Sequence, residues 1–328
     1  MSDPSPPPAN PKPPLRTHLF HAGMDAWLRL RTARRRVARY VRLNLMHQRR
    51  FHIIRFGEYR HDRAAPPRVL VHVAHIVSPE EHADRDRAAA KTERLRQTID
   101  GLFASFAHCR LTVCLSTVPG RHVHAFLPDY QRARVGLREE PGADPMFVGY
   151  RAQQRLAERV EEFDWFMFVE DDIVLSDALF LDKLQRFNAG SGLPDAVLLP
   201  NRFEMFEGTK SYIDFTIDGR LYWNDKSVVD VGGAKFAEFS NPHTGLYCLS
   251  QAQLRRWNAT GRTWQDEVLI VGPLESAATY CLLEAFALYK PHPANLHYLE
   301  CRHHDTKYSQ LDPKPSPYRL TPTEPVAV

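Results

Sequence analysis

The chain has 328 residues, 43% hydrophobic and 25% charged, which is the composition of an ordinary globular protein with enough length to bury a sizeable core. No run of about 18 apolar residues occurs, so a membrane-spanning helix is not expected, and the N-terminus lacks the apolar stretch of a signal peptide. Cys109, Cys114, Cys248, Cys281 and Cys301 are scattered and lack CxxC spacing, which argues against a zinc finger or a disulfide framework and favours a reducing cytoplasm.

The net charge of +4 conceals an asymmetry. Between Ala26 and Gly57 there is no acid, yet Arg29, Arg31, Arg34, Arg35, Arg36, Arg39, Arg42, Arg49, Arg50 and Arg55 all fall there. Without those ten, the 39 acids outnumber the remaining bases, so the basic character is local.

Residues 1–14 are mostly Pro, Ser, Asn and Asp and are expected to be a disordered tail. Residues 15–60 form a basic segment, helical over about 22–50, with Trp27, Leu30, Val37, Val41 and Leu45 on one face. Such a helix can pack its apolar stripe on the main domain or lie on an anionic membrane surface through its arginines, which would make the protein peripheral on the inner face of the membrane. Nucleic acid is the least favoured partner, because no nucleic-acid module follows.

The folded domain is expected to span 68–310, with a nucleotide-binding half over 68–172, an acceptor half over 173–310, and a loose tail over 311–328. Val69–Val77 reads as a buried strand, residues 80–107 as a helix, and Leu111–Val118 as a second buried strand. His122–Leu127 reads as a short strand, Phe147–Glu162 as a helix and Trp165–Val169 as another buried strand. Strands alternating with helices imply an α/β fold with a mostly parallel central sheet flanked by helices, with ligands at the carboxyl ends of the strands. The second half is less regular. Ala196–Pro200 and Gly245–Leu249 read as strands, the latter leading into a Gln251–Trp257 helix. Residues 203–240 read as a long loop or a small hairpin layer, Leu274–Leu288 as an apolar helix, and Asn295–Cys301 as a last strand.

The chemistry is concentrated after Trp165–Val169, where Glu170, Asp171 and Asp172 follow in succession. Three adjacent acids at a strand end repel one another and lose solvation. A divalent cation such as Mn²⁺ or Mg²⁺ relieves both costs, and these ions prefer carboxylate and phosphate oxygens together, which points to a metal-bound diphosphate. The plainer alternative is that the acids cap the next helix.

The segment FDWFMFVEDDIV, Phe163–Val174, resembles the metal-binding strand of GT-A glycosyltransferases, whose acidic motif is called DxD. The resemblance covers roughly residues 68–305, in the order of elements more than in identities. It implies a Rossmann-like GT-A domain that uses a nucleoside diphosphate sugar as donor. Asp172 would bind the metal, while Glu170 and Asp171 would contact the ribose or donor sugar or support the metal. The loop Ala74–Pro79, with Ser78, would hold the base, and Gly245 in NPHTGLYCL would lie under the donor sugar and acceptor. A C-terminal histidine often joins the metal in such enzymes, and His303 and His304 stand where that would occur. The Glu-Asp-Asp form resembles that of some inverting members, in which a base at the start of a helix activates the acceptor hydroxyl. Glu275 in GPLESAA is the first choice, Asp266 the second and Glu267 the third. Trp223, Trp257 and Trp264 are candidates for stacking on a sugar ring, Trp223 first because its surroundings are polar.

Together these features imply transfer of a sugar from the donor to a carbohydrate or glycolipid acceptor. A metal-dependent phosphoesterase or nucleotidyltransferase could use the same acids, and a basic membrane or nucleic-acid adaptor is the reading without an enzyme.

Overall fold

A computed structural model describes residues 65–215, 224–239, 241–261, 272–311 and 319–320, together with Ala26 and Leu30. Contacts divide the chain into Met1–Ile54 and Arg55–Val328. In the first unit the described residues, Ala26 and Leu30, are both helical and exposed. The expected Pro-rich tail and the rest of the arginine helix lie outside the described residues.

In the second unit, β1 (Arg68–Ala74), β2 (Arg110–Thr117), β3 (Val135–Glu139) and β4 (Trp165–Glu170) form a parallel sheet in the order β4-β1-β2-β3. The register sets Val71 opposite both Val113 and Met167. Period-two alternation sends Val69, Val71, Val73, Met167 and Val169 to one face, against Leu95, Ile99 and Leu102 of the helix Ala89–Ser105. Leu70, Phe166 and Phe168 face the other side, against Tyr150 and Leu156 of the helix Val148–Glu158. Burial on both faces explains why β1, apart from Arg68 and the buried His72, and β4 up to Glu170 read as apolar runs. The protein is thus α/β with a mostly parallel central sheet flanked by helices, as the sequence implies.

Two smaller sheets follow. After the acids comes β5 (Ile173–Val174), then the helix Phe180–Gly190, β6 (Ala196–Leu198), β7 (Asn201–Phe206), β8 (Thr209–Tyr212), β9 (Val229–Val231) and β10 (Ala234–Glu238). The β7–β8 and β9–β10 pairs are antiparallel hairpins, so of the loop or small hairpin layer expected over 203–240 the described residues form the hairpin layer. β11 (Leu246–Ser250) closes the main sheet antiparallel to β4 and leads into the helix Gln251–Asn258. β12 (Ala287–Pro291) joins β6 and β10, and β13 (Glu300–His303) joins β7 and β5. β14 (Arg319–Leu320) pairs with β8, so part of the segment expected to be loose adds a strand to a sheet.

Other expectations are corrected. Residues 80–107 form two helices, Pro79–Ala83 and Ala89–Ser105, because the Asp84 side chain accepts the Asp86 and Arg87 amides and turns the chain between them. His122–Leu127 holds a 3₁₀ turn, His124–Phe126, and the neighbouring strand is the unforeseen β3, exposed over Gly136–Glu139 at the edge of the sheet. The apolar run 274–288 is a short helix, Pro273–Ala278, a 3₁₀ segment, Tyr280–Glu284, and then β12. A buried strand and a buried helix carry the same apolar signal over so few residues. Trp257 is core, buried edge-on against Tyr247 with ring centroids 5.8 Å apart. Trp223 and Trp264 lie outside the described residues.

Candidate active site

The acids stand at the carboxyl end of β4, where an open parallel sheet presents its loops. Their three side chains have different surroundings.

Asp171 is taken up by the protein. His75 Nδ1 lies 2.5 Å from its Oδ2, and Lys91 Nζ is 3.4 Å from either carboxylate oxygen. The Val123 amide donates to His75 Nε2 at 3.3 Å, so Nδ1 carries the proton given to Asp171. Burial works against the Asp171 charge, but the His75 bond and the Lys91 charge outweigh it and hold the carboxyl below its ordinary value. The Asp171 carbonyl accepts from Thr98 Oγ1. Asp171 therefore ties the end of β4 to the loop after β1 and to the helix Ala89–Ser105.

Asp172 faces the opposite partners. Its Oδ2 is 3.5 Å from His303 Nε2, and its Oδ1 is buried with no hydrogen-bond partner. The pairing of β13 with β5 sets His303 opposite Ile173, which brings the histidine beside the acid. His303 Nδ1 is bonded to Glu204 Oε1 at 2.8 Å. Burial disfavours a charged His303, but the bonds to Asp172 and Glu204 win and raise it to about 9. His304 donates its backbone amide to the Asp172 carbonyl at 2.7 Å. Of the histidine pair, His303 is thus the one that meets the acids.

Glu170 sits against Gly245, whose φ of +69° suits glycine. The Glu170 amide donates to the Gly245 carbonyl at 2.8 Å. Burial first, and then the Asp172 charge, push the Glu170 carboxyl above its ordinary range.

Beneath the site runs a buried ion network that sequence reasoning missed. Asp214 Oδ1 accepts from Arg202 Nε and Nη2 at 3.2 and 2.9 Å, and Lys290 Nζ donates to its Oδ2 at 2.6 Å. Lys290 also donates to the His243 carbonyl at 3.0 Å, holding the segment that leads to Gly245. The only available signal was the alternation of Arg202 and Glu204 with apolar residues in NRFEMF.

Ser78 caps the helix Pro79–Ala83, its Oγ accepting from the Glu81 amide at 3.1 Å while Glu81 Oε2 takes the Ser78 amide at 2.8 Å. Its side chain is engaged as a helix cap. Glu275 lies partly exposed in the first turn of Pro273–Ala278. That helix reaches the acid end of the sheet through Thr279 Oγ1, which accepts from the Thr244 amide at 3.3 Å, next to Gly245. Asp266 and Glu267 lie outside the described residues.

Among the described residues, no group of three or more His, Cys, Asp or Glu side chains is arranged to hold a metal ion. Asp172 and His303 nonetheless fit a hard cation that takes its other oxygens from phosphate and water, and the unpartnered Asp172 Oδ1 is the atom such an ion would satisfy.

No protein-family model matches the chain, and neither does any curated protein. Among solved structures it is similar to a putative glucose-1-phosphate thymidylyltransferase from Bacillus anthracis in complex with a sucrose. That match has 11% identity and a TM-score of 0.34, and covers 69% of this chain and 87% of that one. It is also similar to a mannose-1-phosphate geranyltransferase from Thermus thermophilus, with 14% identity and a TM-score of 0.35 over 68% of this chain and 72% of that one. Scores this low bear on neither the substrate nor the chemistry of this site. Among the described residues, no helix is long and apolar enough to cross a membrane.

Proposed function

We propose that this protein is a metal-dependent glycosyltransferase that moves a sugar from a nucleoside diphosphate sugar to a hydroxyl of a carbohydrate or glycolipid acceptor. The observation that carries this reading is the meeting of Asp172 and His303 at the carboxyl end of β4, with Asp172 Oδ1 buried and unpartnered. Asp172 and His303 would hold a Mn²⁺ or Mg²⁺ ion, which supplies charge neutralisation for the departing diphosphate. Glu170, seated against Gly245, borders the donor sugar. The loop between β1 and Ser78 receives the nucleoside. Its Val77 exchanges hydrogen bonds with Arg121 from the loop after β2, which makes it a firm wall.

Glu275 is the base that takes the proton of the attacking hydroxyl, which makes the transfer inverting. The arginine-rich segment over 15–60 adds attachment to an anionic lipid surface, where each basic residue contributes about 1 kcal/mol.

The test is a thermal-shift panel of UDP, GDP, CDP and dTDP with and without Mn²⁺, on the wild type and on Asp172→Asn. One nucleoside diphosphate should stabilise the wild type in a Mn²⁺-dependent way, by about 2.7 kcal/mol at a hundredfold excess over its Kd. The folded Asp172→Asn variant should lose that response. Metal-independent stabilisation, or an unchanged response in the variant, overturns the reading. Release of pyrophosphate from a nucleoside triphosphate and a sugar 1-phosphate would make the protein a nucleotidyltransferase instead.

A further inference from the structure

Glu204 is a carboxylate that sequence reasoning passed over, and its surroundings are unusually complete. It lies on β7 with no exposed surface. β7 runs parallel to β13, with Cys301 opposite Arg202 and Arg302 opposite Phe203, and this register brings Glu204 to His303. Glu204 Oε1 takes the His303 Nδ1 bond at 2.8 Å. Its Oε2 accepts the Ser309 amide at 2.6 Å, and the Tyr308 amide reaches Oε1 at 3.4 Å. The Tyr308 ring also flanks the His303 ring, with centroids 5.8 Å apart.

A buried carboxylate with this many donors cannot turn away without leaving several of them unpaired. The imidazole it holds is fixed in orientation. With Nδ1 committed to Glu204, Nε2 is the nitrogen left to face Asp172. A carboxylate behind a metal-bound histidine sets which nitrogen binds and strengthens it as a ligand.

We propose that Glu204 is the positioning residue of His303, and that the backbone of Tyr308 and Ser309 holds Glu204 in turn, so that the segment Lys307–Leu311 sets the geometry of the metal-binding histidine. This rests on the reading that His303 holds the metal. Glu204 touches no substrate and acts only through the ring.

The experiment measures Mn²⁺ affinity by electron paramagnetic resonance in the presence of UDP or GDP, on the full chain. The variants are Glu204→Gln, His303→Ala and the double variant. Glutamine keeps one acceptor but turns an NH₂ toward a donor. Glu204→Gln should weaken Mn²⁺ binding by about 10- to 100-fold. In the His303→Ala background the same change should add nothing. Equal affinity in Glu204→Gln and wild type overturns the proposal, and so does an equal loss in both backgrounds.

A second readout does not need the metal. In protein with ¹⁵N-labelled histidine, the His303 Nδ1 proton should give a downfield, slowly exchanging signal, and Glu204→Gln should shift it and speed its exchange. If the wild type binds no Mn²⁺, the glycosyltransferase reading fails, and this signal alone decides the positioning claim. An unchanged signal in the variant sinks it. Should Glu204→Gln not fold, Glu204→Asp keeps the charge but loses reach, and is expected to alter the same signal.

Discussion

Gly245 and Glu170 compete for the same space: a Cβ on Gly245 would stand 2.5 Å from Glu170 Oε2 and 2.8 Å from Ile173 Cγ1. The missing side chain of one residue is therefore the seat of the other's carboxylate. At φ +69° an alanine also carries a backbone cost of about 1–2 kcal/mol. Gly245→Ala should lower stability by at least that much in urea unfolding and displace Glu170. Adding Glu170→Ala should recover the part caused by the clash and leave the backbone cost. No recovery in the double variant would mean that Ile173, rather than Glu170, sets the requirement.

Asp171→Asn separates a strut from a ligand. Loss of the charge that faces Lys91 and His75 should cost about 1–3 kcal/mol in urea unfolding. Mn²⁺ and nucleotide affinity should stay near wild type in the folded variant. A stable variant with weakened nucleotide binding would return Asp171 to the donor site implied by the GT-A resemblance.

His72 gives a pH dependence outside the site. It is buried on β1, with Nδ1 2.7 Å from Ser116 Oγ, and burial first and then the Arg159 charge lower it from 6.5 to about 3. The unfolded chain then binds a proton that the folded one refuses. Stability should fall as the pH drops below about 6.5, by about 1.4 kcal/mol per unit down to about 3, and be fully present above that window. His72→Gln should flatten this part of the urea-unfolding profile between pH 7 and pH 4. An identical slope in the variant would assign the acid sensitivity to other groups.

Glu275→Gln tests the base. Size is preserved, and Asp172 lies in the turn between β4 and β5 and His303 on β13, so donor and metal affinity should hold while turnover falls by about 10² or more. If Glu275 only favours its helix start, the change should cost about 0.3–1 kcal/mol of stability with little loss of turnover. An active Glu275→Gln beside an inactive Asp266→Asn would move the base to Asp266. Activity in both would favour a retaining transfer.

The strands that carry the site were legible because they are buried on both faces. Trp165–Val169 is apolar throughout and Val69–Val77 is broken only by the buried His72 and His75, and few other local structures explain such runs ending in three acids or in Ser-Pro. The edge strand β3 was not legible, because exposure leaves Gly136–Glu139 with no apolar pattern. The helix expected over 274–288 ran into the start of β12 because the partners of that strand, β6 and β10, are remote in sequence.

The sequence by itself determined the α/β alternation and the placing of Glu170, Asp171 and Asp172 at a strand end, since each depends on residues adjacent in the chain. Tertiary structure alone decided how the three acids divide. The pairing of β13 with β5 gives Asp172 its histidine, the loop after β1 takes Asp171 away through His75, and the parallel register of β7 brings Glu204 behind His303. Adjacent residues past the end of a strand point in different directions, and what each one meets is set by elements far along the chain that local propensity does not encode.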